Sequence, residues 1–302
     1  MLKKLQQKRR KKRSEQLRKE LIRLRYSGLL CQYHDFALSS TAQGVAPSQD
    51  TPPVVVSLTT FDKRINDVYL TIESLFQQSH KADKIVLWVS KEDFSSEDLP
   101  AMLKLQMERG LEVEFCEKDL GPYTKFFYAL QRYPDSLVLT VDDDILYPPD
   151  MIDQLVRAYR KAPDVIHCHR AHKMTLGANG RILPYKQWAR FTQDSQQSLY
   201  VFPTGVGGVL YFPGCFDDEI LNQDAFTRFA PNADDVWLKA MSLKKGTYCK
   251  KLDDSRDWAL RFVVIEGSQA VALKRRNKQK SGGNDEQIEA VFGHYNLTEL
   301  LR

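Results

Sequence analysis

Cysteine is scarce and scattered: Cys31, Cys116, Cys168, Cys215 and Cys249 are the only five in 302 residues, far apart and without a CxxC pair. An odd, unpatterned set suits a reducing cytoplasm better than a disulfide framework. Long apolar runs are missing as well. No stretch approaches the roughly 18 residues that a membrane-spanning helix needs. The opening 25 residues are charged where a secretory leader would be apolar, so the chain is expected to stay in the compartment where it is made. Histidine is sparse too. His167 and His169 share a strand face, but no third ligand follows at a zinc-like spacing, which makes a partly buried pair the simpler reading. What remains is ordinary globular material, 42% hydrophobic and 27% charged, which excludes a collagen, a coiled-coil rod and a polytopic membrane protein. The length suffices for one large α/β domain or two small ones.

The net charge of +5 is unevenly spread. Residues 1–25 hold twelve Lys or Arg against Glu15 and Glu20, so the other 277 residues carry a net −5. Leu17, Leu21 and Leu24 recur there at helical spacing. A cationic helix with a thin apolar stripe can lie on an anionic membrane surface, each Lys or Arg near the surface contributing about 1 kcal/mol. The plainer alternative is a solvated basic arm. Nucleic-acid binding is not expected, because the acidic remainder offers no matching basic face. Residues 1–38 thus read as a basic, partly helical tail, and 39–53, rich in Ser, Thr, Gln, Gly and Pro, as a linker.

The body opens with Val54-Val55-Val56-Ser57-Leu58, nearly continuous in apolar residues, the pattern of a strand covered on both faces. An amphipathic segment from Val68 to Gln78 and a second apolar strand, Lys84 to Val89, complete a βαβ unit. The spacing predicts further helices over Ser96–Arg109 and Tyr123–Arg132, and strands over Glu112–Cys116 and Ser136–Val141. Such alternation predicts a mostly parallel sheet with helices on both faces, and ligands outside the carboxyl ends of its strands. The loops after Leu58, Val89, Cys116 and Val141 are therefore where chemistry is expected. Beyond Asp150 a helix over Met151–Lys161 and a strand over Asp164–His169 keep the alternation, while the rest is more irregular and reads as a second lobe on the same sheet.

The sharpest feature is Asp142-Asp143-Asp144, directly after the apolar Leu137 to Val141. Adjacent like charges are costly to desolvate and persist most easily where a cation neutralises them. In an extended chain Asp142 and Asp144 would face one site together, and such hard oxygens suit Mg²⁺ or Mn²⁺. A helix-capping acidic turn is the bland alternative. Gly121-Pro122-Tyr123-Thr124-Lys125 places a cation after a tight turn, able to reach phosphates as a point charge. Thr204-Gly205-Val206-Gly207-Gly208 precedes an apolar strand and lets a ligand approach the backbone. Asp234-Asp235 opens a helix in which Trp237, Ala240 and Met241 face inward.

Together, the first strand ending in Thr59-Thr60, the second ending in Ser90 and the acidic triplet at the fourth resemble GT-A glycosyltransferases, in particular the family-2 type of bacterial enzymes, from about Val54 to Tyr248. The resemblance implies a GT-A, Rossmann-like α/β fold, mostly parallel with helices on both faces, as a single large domain with an irregular acceptor lobe. Residues 54–150 would bind the nucleotide sugar and 151–302 the acceptor. It further implies that Asp142 and Asp144 hold Mn²⁺ or Mg²⁺ on the donor diphosphate, with His294 able to join them. Thr59, Thr60, Arg64, Lys125 and Asp143 would bind the donor, Asp143 toward the ribose, and Asp93 the base, with Glu92 as its rival. Asp235, or Asp234 beside it, would be the base that deprotonates the acceptor; the pair reads Asp-Asp where Glu-Asp is common. Gly207, Gly208 and Trp188 would line the acceptor site.

The expected activity is transfer of a sugar from a nucleotide-diphosphate sugar, UDP-sugar favoured, to a carbohydrate or lipid-linked glycan. Inversion, metal dependence and a role in bacterial surface polysaccharide or lipopolysaccharide synthesis go with it, in the cytoplasm or at the inner face of the plasma membrane. The alternatives are a sugar-phosphate nucleotidyltransferase, disfavoured because Thr59-Thr60-Phe61-Asp62 is no Gly-rich phosphate loop, and a nucleic-acid-binding protein acting through the tail.

Overall fold

A computed structural model describes residues 2–47, 52–266 and 283–302. Residues 48–51 of the expected linker and 267–282 of the second half lie outside them.

A long first helix, α1 (Leu2–Ser39), precedes the body. Then come β1 (Val54–Thr59), α2 (Val68–Phe76), β2 (Lys84–Ser90), α3 (Ala101–Met107), β3 (Leu111–Cys116), α4 (Thr124–Arg132), β4 (Leu137–Thr140) and β5 (Ile145–Leu146). The second half holds α5 (Met151–Lys161), β6 (Val165–Cys168), β7 (Ala171–Lys173), β8 (Val201–Pro203), β9 (Val209–Tyr211), α6 (Gln223–Phe229) and α7 (Asp234–Lys245). It closes with β10 (Tyr248–Lys251), α8 (Trp258–Arg261), β11 (Val263–Val264) and α9 (Asn284–His294).

Seven strands form one sheet in the order β10-β6-β9-β4-β1-β2-β3. All its pairings are parallel except those of β9, which runs antiparallel between β4 and β6. The α/β expectation, with helices on both faces of a mostly parallel sheet, holds. The run Val54 to Leu58 is apolar for the reason that parallel strands usually are: both faces are covered. Val54, Val56 and Leu58 pack with Ile72, Leu75 and Leu103 from α2 and α3, while Val55 packs with Val86, Val138 and Ala129 on the α4 side. The register sets Val56 beside Leu139 and Ser57 beside Thr140, so β1 and β4 end together at the centre of the sheet.

The tail and its connection are more tightly joined to the body than their composition suggests. Tyr33 and the neighbouring Tyr26, Leu29 and Leu30 of α1 pack on Leu70, Leu146 and Val263. Past α1, Gly44 N donates to Arg109 O at 2.8 Å and Ala46 N to Ala82 O at 2.9 Å. Arg109 in turn makes a bidentate pair with Glu73, at 2.8 and 2.9 Å, in a place where neither side chain is more than 5% exposed. Its Nε donates to Ala42 O at 2.9 Å, so one buried guanidinium ties the connection to α2. No helix among the described residues is long and apolar enough to cross a membrane.

Candidate functional site

A crevice of about 1470 Å³ opens at the carboxyl ends of β1 and β4, where an open parallel sheet binds its ligands. All four loops expected to carry chemistry reach it, with Thr59 ending β1 and Thr60 following it, Glu92 after β2, Lys118 after β3 and Asp142 after β4. The second half supplies the opposite wall through Arg170, Tyr185, Gly205, Asp234, Asp235 and Asn284.

The acidic triplet is arranged differently from the expected alternation. Strand β4 stops at Thr140, and Asp143 and Asp144 lie in a turn, so the two-residue period does not apply. Asp143 and Asp144 are the pair that shares a cation: Arg64 Nη1 contacts Asp143 Oδ1, and its Nη2 lies 2.7 Å from Asp144 Oδ2. Asp142 belongs to Lys125, whose Nζ is 2.8 Å from its Oδ1. Asp143 is buried and also accepts from Thr60 Oγ1 at 2.8 Å. Burial pushes its carboxyl up to about 7, against the opposing pull of Arg64. Tyr147, buried below, accepts from Asp142 N at 2.9 Å and fixes the start of the turn.

Lys125 sits in the first turn of α4, directly after Gly121-Pro122-Tyr123. Its Nζ is also 3.2 Å from Asp234 Oδ2, an ion-pair distance without hydrogen-bond geometry, since that oxygen has no hydrogen-bond partner among the described residues. Burial works against the ammonium charge, but Asp142, Asp234 and Asp235 outweigh it and hold Lys125 well above its ordinary value.

Asp234 and Asp235 open α7. Neither residue is its N-cap, which is Ala233. Asp235 Oδ1 instead accepts from Gly205 N at 3.0 Å, across the crevice wall. Burial first, and the neighbouring Asp234 charge second, push its carboxyl up to about 8; Asp234 is also raised, chiefly by burial, with Lys125 opposing. Gly205 is where these groups converge. A Cβ there would stand 3.4 Å from Asp142 Oδ1, Asp235 Oδ1 and Lys125 Nζ alike. Glycine gives the backbone its closest approach to charged side chains at this point.

The crevice therefore brings together Thr59, Thr60, Arg64, Lys125, Asp142, Asp143, Asp144, Asp234 and Asp235. Five other expected residues are not on its surface. Asp93 is exposed on the loop, its backbone N–H donating to Ser90 O at 3.2 Å, and Glu92 lines the crevice in its place. Gly207 and Gly208 serve packing: a Cβ on Gly207 would meet the Trp258 ring at 2.6 Å, and Gly208, at φ +82°, lies against Met151 and Leu139. Trp188 is buried, its indole N–H donating to Leu183 O at 2.7 Å and its ring 5.2 Å from Phe202, so it is core and offers no face to a sugar. His294 lies on the last turn of α9, stacked on Phe229 at 4.3 Å; the start of that helix, Asn284 to Glu286, reaches the crevice instead. His167 and His169 are buried, their Nε2 atoms 2.9 Å from Ala162 O and 3.2 Å from Met151 O.

Arg170, Tyr185, Lys186 and Arg190 line the crevice and were not anticipated. Arg170 had a signal, since it follows β6 and so belongs to the same edge of the sheet as the triplet. For the other three, on an irregular connection, periodicity gives no sign. The carboxylates are hard donors of the kind that Mg²⁺ and Mn²⁺ take, one or two at a time with phosphate oxygens and water, and Asp142, its side chain 30% exposed, is the most open of the triplet. Among the described residues no group of three or more His, Cys, Asp or Glu forms a complete metal cage; a cation bound here would share its shell with a ligand.

The family model for glycosyl transferase family 2 matches residues 56–210, a little over half the chain. Among solved structures, S. aureus TarS (residues 1–349) is 17% identical with a TM-score of 0.43, over 67% of this chain and 58% of that one. The present chain thus spans less than two thirds of that relative. A mannosyltransferase from Pyrobaculum calidifontis, solved with GDP-Man and Mn²⁺, is 15% identical with a TM-score of 0.46, over 92% of this chain and 79% of that one. No curated protein sequence matches.

Proposed function

The chain belongs to glycosyl transferase family 2, and on that premise we propose that it moves a sugar from a nucleotide-diphosphate donor to a carbohydrate hydroxyl, inverting the anomeric centre with the help of a divalent cation. The observation that carries this is the convergence on Gly205 of one base candidate, Asp235, with the ion pair of Asp142 and Lys125.

A sugar hydroxyl ionises far above pH 7, so a carboxylate must take its proton during attack. Asp235 suits the task. Its raised carboxyl holds a proton more firmly than an ordinary aspartate, and the Gly205 N–H fixes one of its oxygens. Asp234 has a different part, holding Lys125 in place. The ammonium of Lys125 and the guanidinium of Arg64 are fixed positive charges beside the place where the leaving diphosphate gathers negative charge, and such preorganised charge stabilises a transition state without rearranging. Thr60 and Arg64 hold Asp143 rigid at the floor, where it would meet the ribose. Asp142, the most open of the triplet, would hold the cation, which would supply further neutralisation of the diphosphate. A single base facing the bond from the side opposite the leaving group gives inversion.

The acceptor is expected to be a surface glycan or its lipid-linked precursor, since the basic outer half of α1 presents Leu17, Leu21 and Leu24 as an exposed stripe fit for an anionic membrane. A screen of UDP- and GDP-sugars for Mn²⁺-dependent release of nucleoside diphosphate is the test. One donor should be turned over, and Asp235→Asn should lose at least a hundredfold in rate while the donor still binds. Undiminished release by Asp235→Asn would remove the mechanism.

A further inference from the structure

The same crevice carries a second charged corner, of opposite sign to the triplet and without a counterion among the described residues. Arg170 stands just past β6. Its Nη1 reaches Thr204 Oγ1 at 3.3 Å, and its Nε has no hydrogen-bond partner among the described residues. The guanidinium carbon lies 4.5 Å from the Phe191 ring centre, and that of Arg190 lies 5.3 Å from the same ring. Neither arginine has a carboxylate within ion-pair distance among the described residues, nor does the exposed Lys186 on the same wall.

The backbone is strained to make this arrangement. Phe191 has φ +52°, a left-handed conformation in which a bulky residue is a clear outlier. Such strain persists only where the surroundings impose it, and it gathers at functional sites. Here the Phe191 N–H is held by His172 Nδ1 at 3.0 Å. Burial, reinforced by the charges of Arg170 and Arg190, pushes His172 down to about 4, so the ring nitrogen is free of a proton and can accept. Burial also lowers Arg170, with Arg190 adding to it and Tyr185, Asp235 and Asp142 opposing. Both guanidinium groups lie against one half-exposed aromatic ring, one of them largely desolvated, and each carries a planar fork of donors that matches the oxygens of a phosphate or carboxylate.

We propose that Arg170 and Arg190, both packed against Phe191, bind an anionic group of the acceptor, so that the natural acceptor is a phosphate-bearing glycan in place of a neutral sugar. This rests on the transferase reading above and adds the acceptor's charge to it. The corner belongs to the acceptor because it is built from the second half of the chain, beside the Thr204–Gly205 turn that holds Asp235. The donor's counter-charges, Lys125 and Arg64, lie with the triplet. An anion on the arginines would anchor the acceptor next to the base.

Calorimetry with inorganic phosphate, at ionic strength fixed with chloride, tests the assignment. Phosphate should bind the parent saturably. Its binding should persist when the site is saturated with UDP or GDP and Mn²⁺, and should weaken at least tenfold in Arg190→Gln and in Arg170→Gln. Arg190 is exposed, so its loss leaves the fold intact, and nucleoside-diphosphate affinity should stay within twofold. Equal phosphate binding by parent and variants would overturn the proposal. Displacement of phosphate by nucleoside diphosphate, with both affinities falling together in the variants, would also overturn it by assigning the arginines to the donor. Failure of the parent to bind any nucleoside diphosphate would be the separate failure of the transferase reading, visible in an arm that does not involve the arginines.

Discussion

Single residues here are held by opposed costs that titration and substitution can separate. His169 is fully buried, and burial pushes it down to about 4. In the unfolded chain an ordinary histidine takes up its proton near pH 6.5. Between those values the unfolded state binds more protons, so the stability that neutral His169 contributes is complete above about pH 6.5 and is lost as the pH falls toward 4, by roughly 3 kcal/mol in total. Urea unfolding at pH 7.5 and 4.5 should show a smaller acid loss for His169→Gln than for the parent; parallel losses would contradict this. Arg109→Leu should cost about 3–5 kcal/mol, because it leaves Glu73 charged with no exposure at all, and a thermal melt measures it. At this scale the sequence was partly legible. The carboxylates announced themselves by their cost, and Lys125 by the turn before it. Which glycine of the 204–208 run lines the crevice was hidden, because Gly205, Gly207 and Gly208 differ only in what stands opposite each across the fold. Trp188 was misread because a tryptophan in a polar run can still turn inward when its N–H finds a carbonyl, as it does at Leu183.

At the scale of elements, α1 divides into two functional halves. Its end from Tyr26 to Ala37 is packed on the body, while the stretch before it touches the body through an exposed pair, Arg18 with Asp257 at 2.7 Å, which is worth little. Deleting residues 2–25 should therefore leave the melting temperature nearly unchanged and donor turnover intact. The same deletion should abolish sedimentation with vesicles containing phosphatidylserine, and binding by the full chain should weaken steeply with salt. Full-chain binding that is equal on neutral vesicles would contradict an electrostatic anchor. The helix itself was readable from its leucine spacing. Its docking was not, since Leu29, Leu30 and Tyr33 look no different in sequence from the exposed Leu17 and Leu21; only the apolar hollow formed by Leu70, Leu146 and Val263 distinguishes them.

For the whole molecule, strand order decides where chemistry can occur. Placing β1 between β2 and β4 opens the crevice at the centre of the sheet, and inserting antiparallel β9 between β4 and β6 swings the second half round as the facing wall. The first half was legible because each strand and helix there buries a periodic apolar face. In the second half α5 and β6 were legible for the same reason, but the rest was not, because β7 and β8 span only three residues each, too short for a period to show, and its wall is set by long-range contacts such as Tyr185 N with Asp285. The proposed function assigns a diphosphate site to the first half and a proton acceptor to the second. The most direct test is nucleoside-diphosphate affinity by calorimetry, with and without Mn²⁺, for the parent and Asp142→Asn. Mn²⁺ should tighten binding at least tenfold in the parent and by less than twofold in the variant. Equal tightening in both, or no binding by the parent in either condition, would contradict a donor diphosphate held at the triplet.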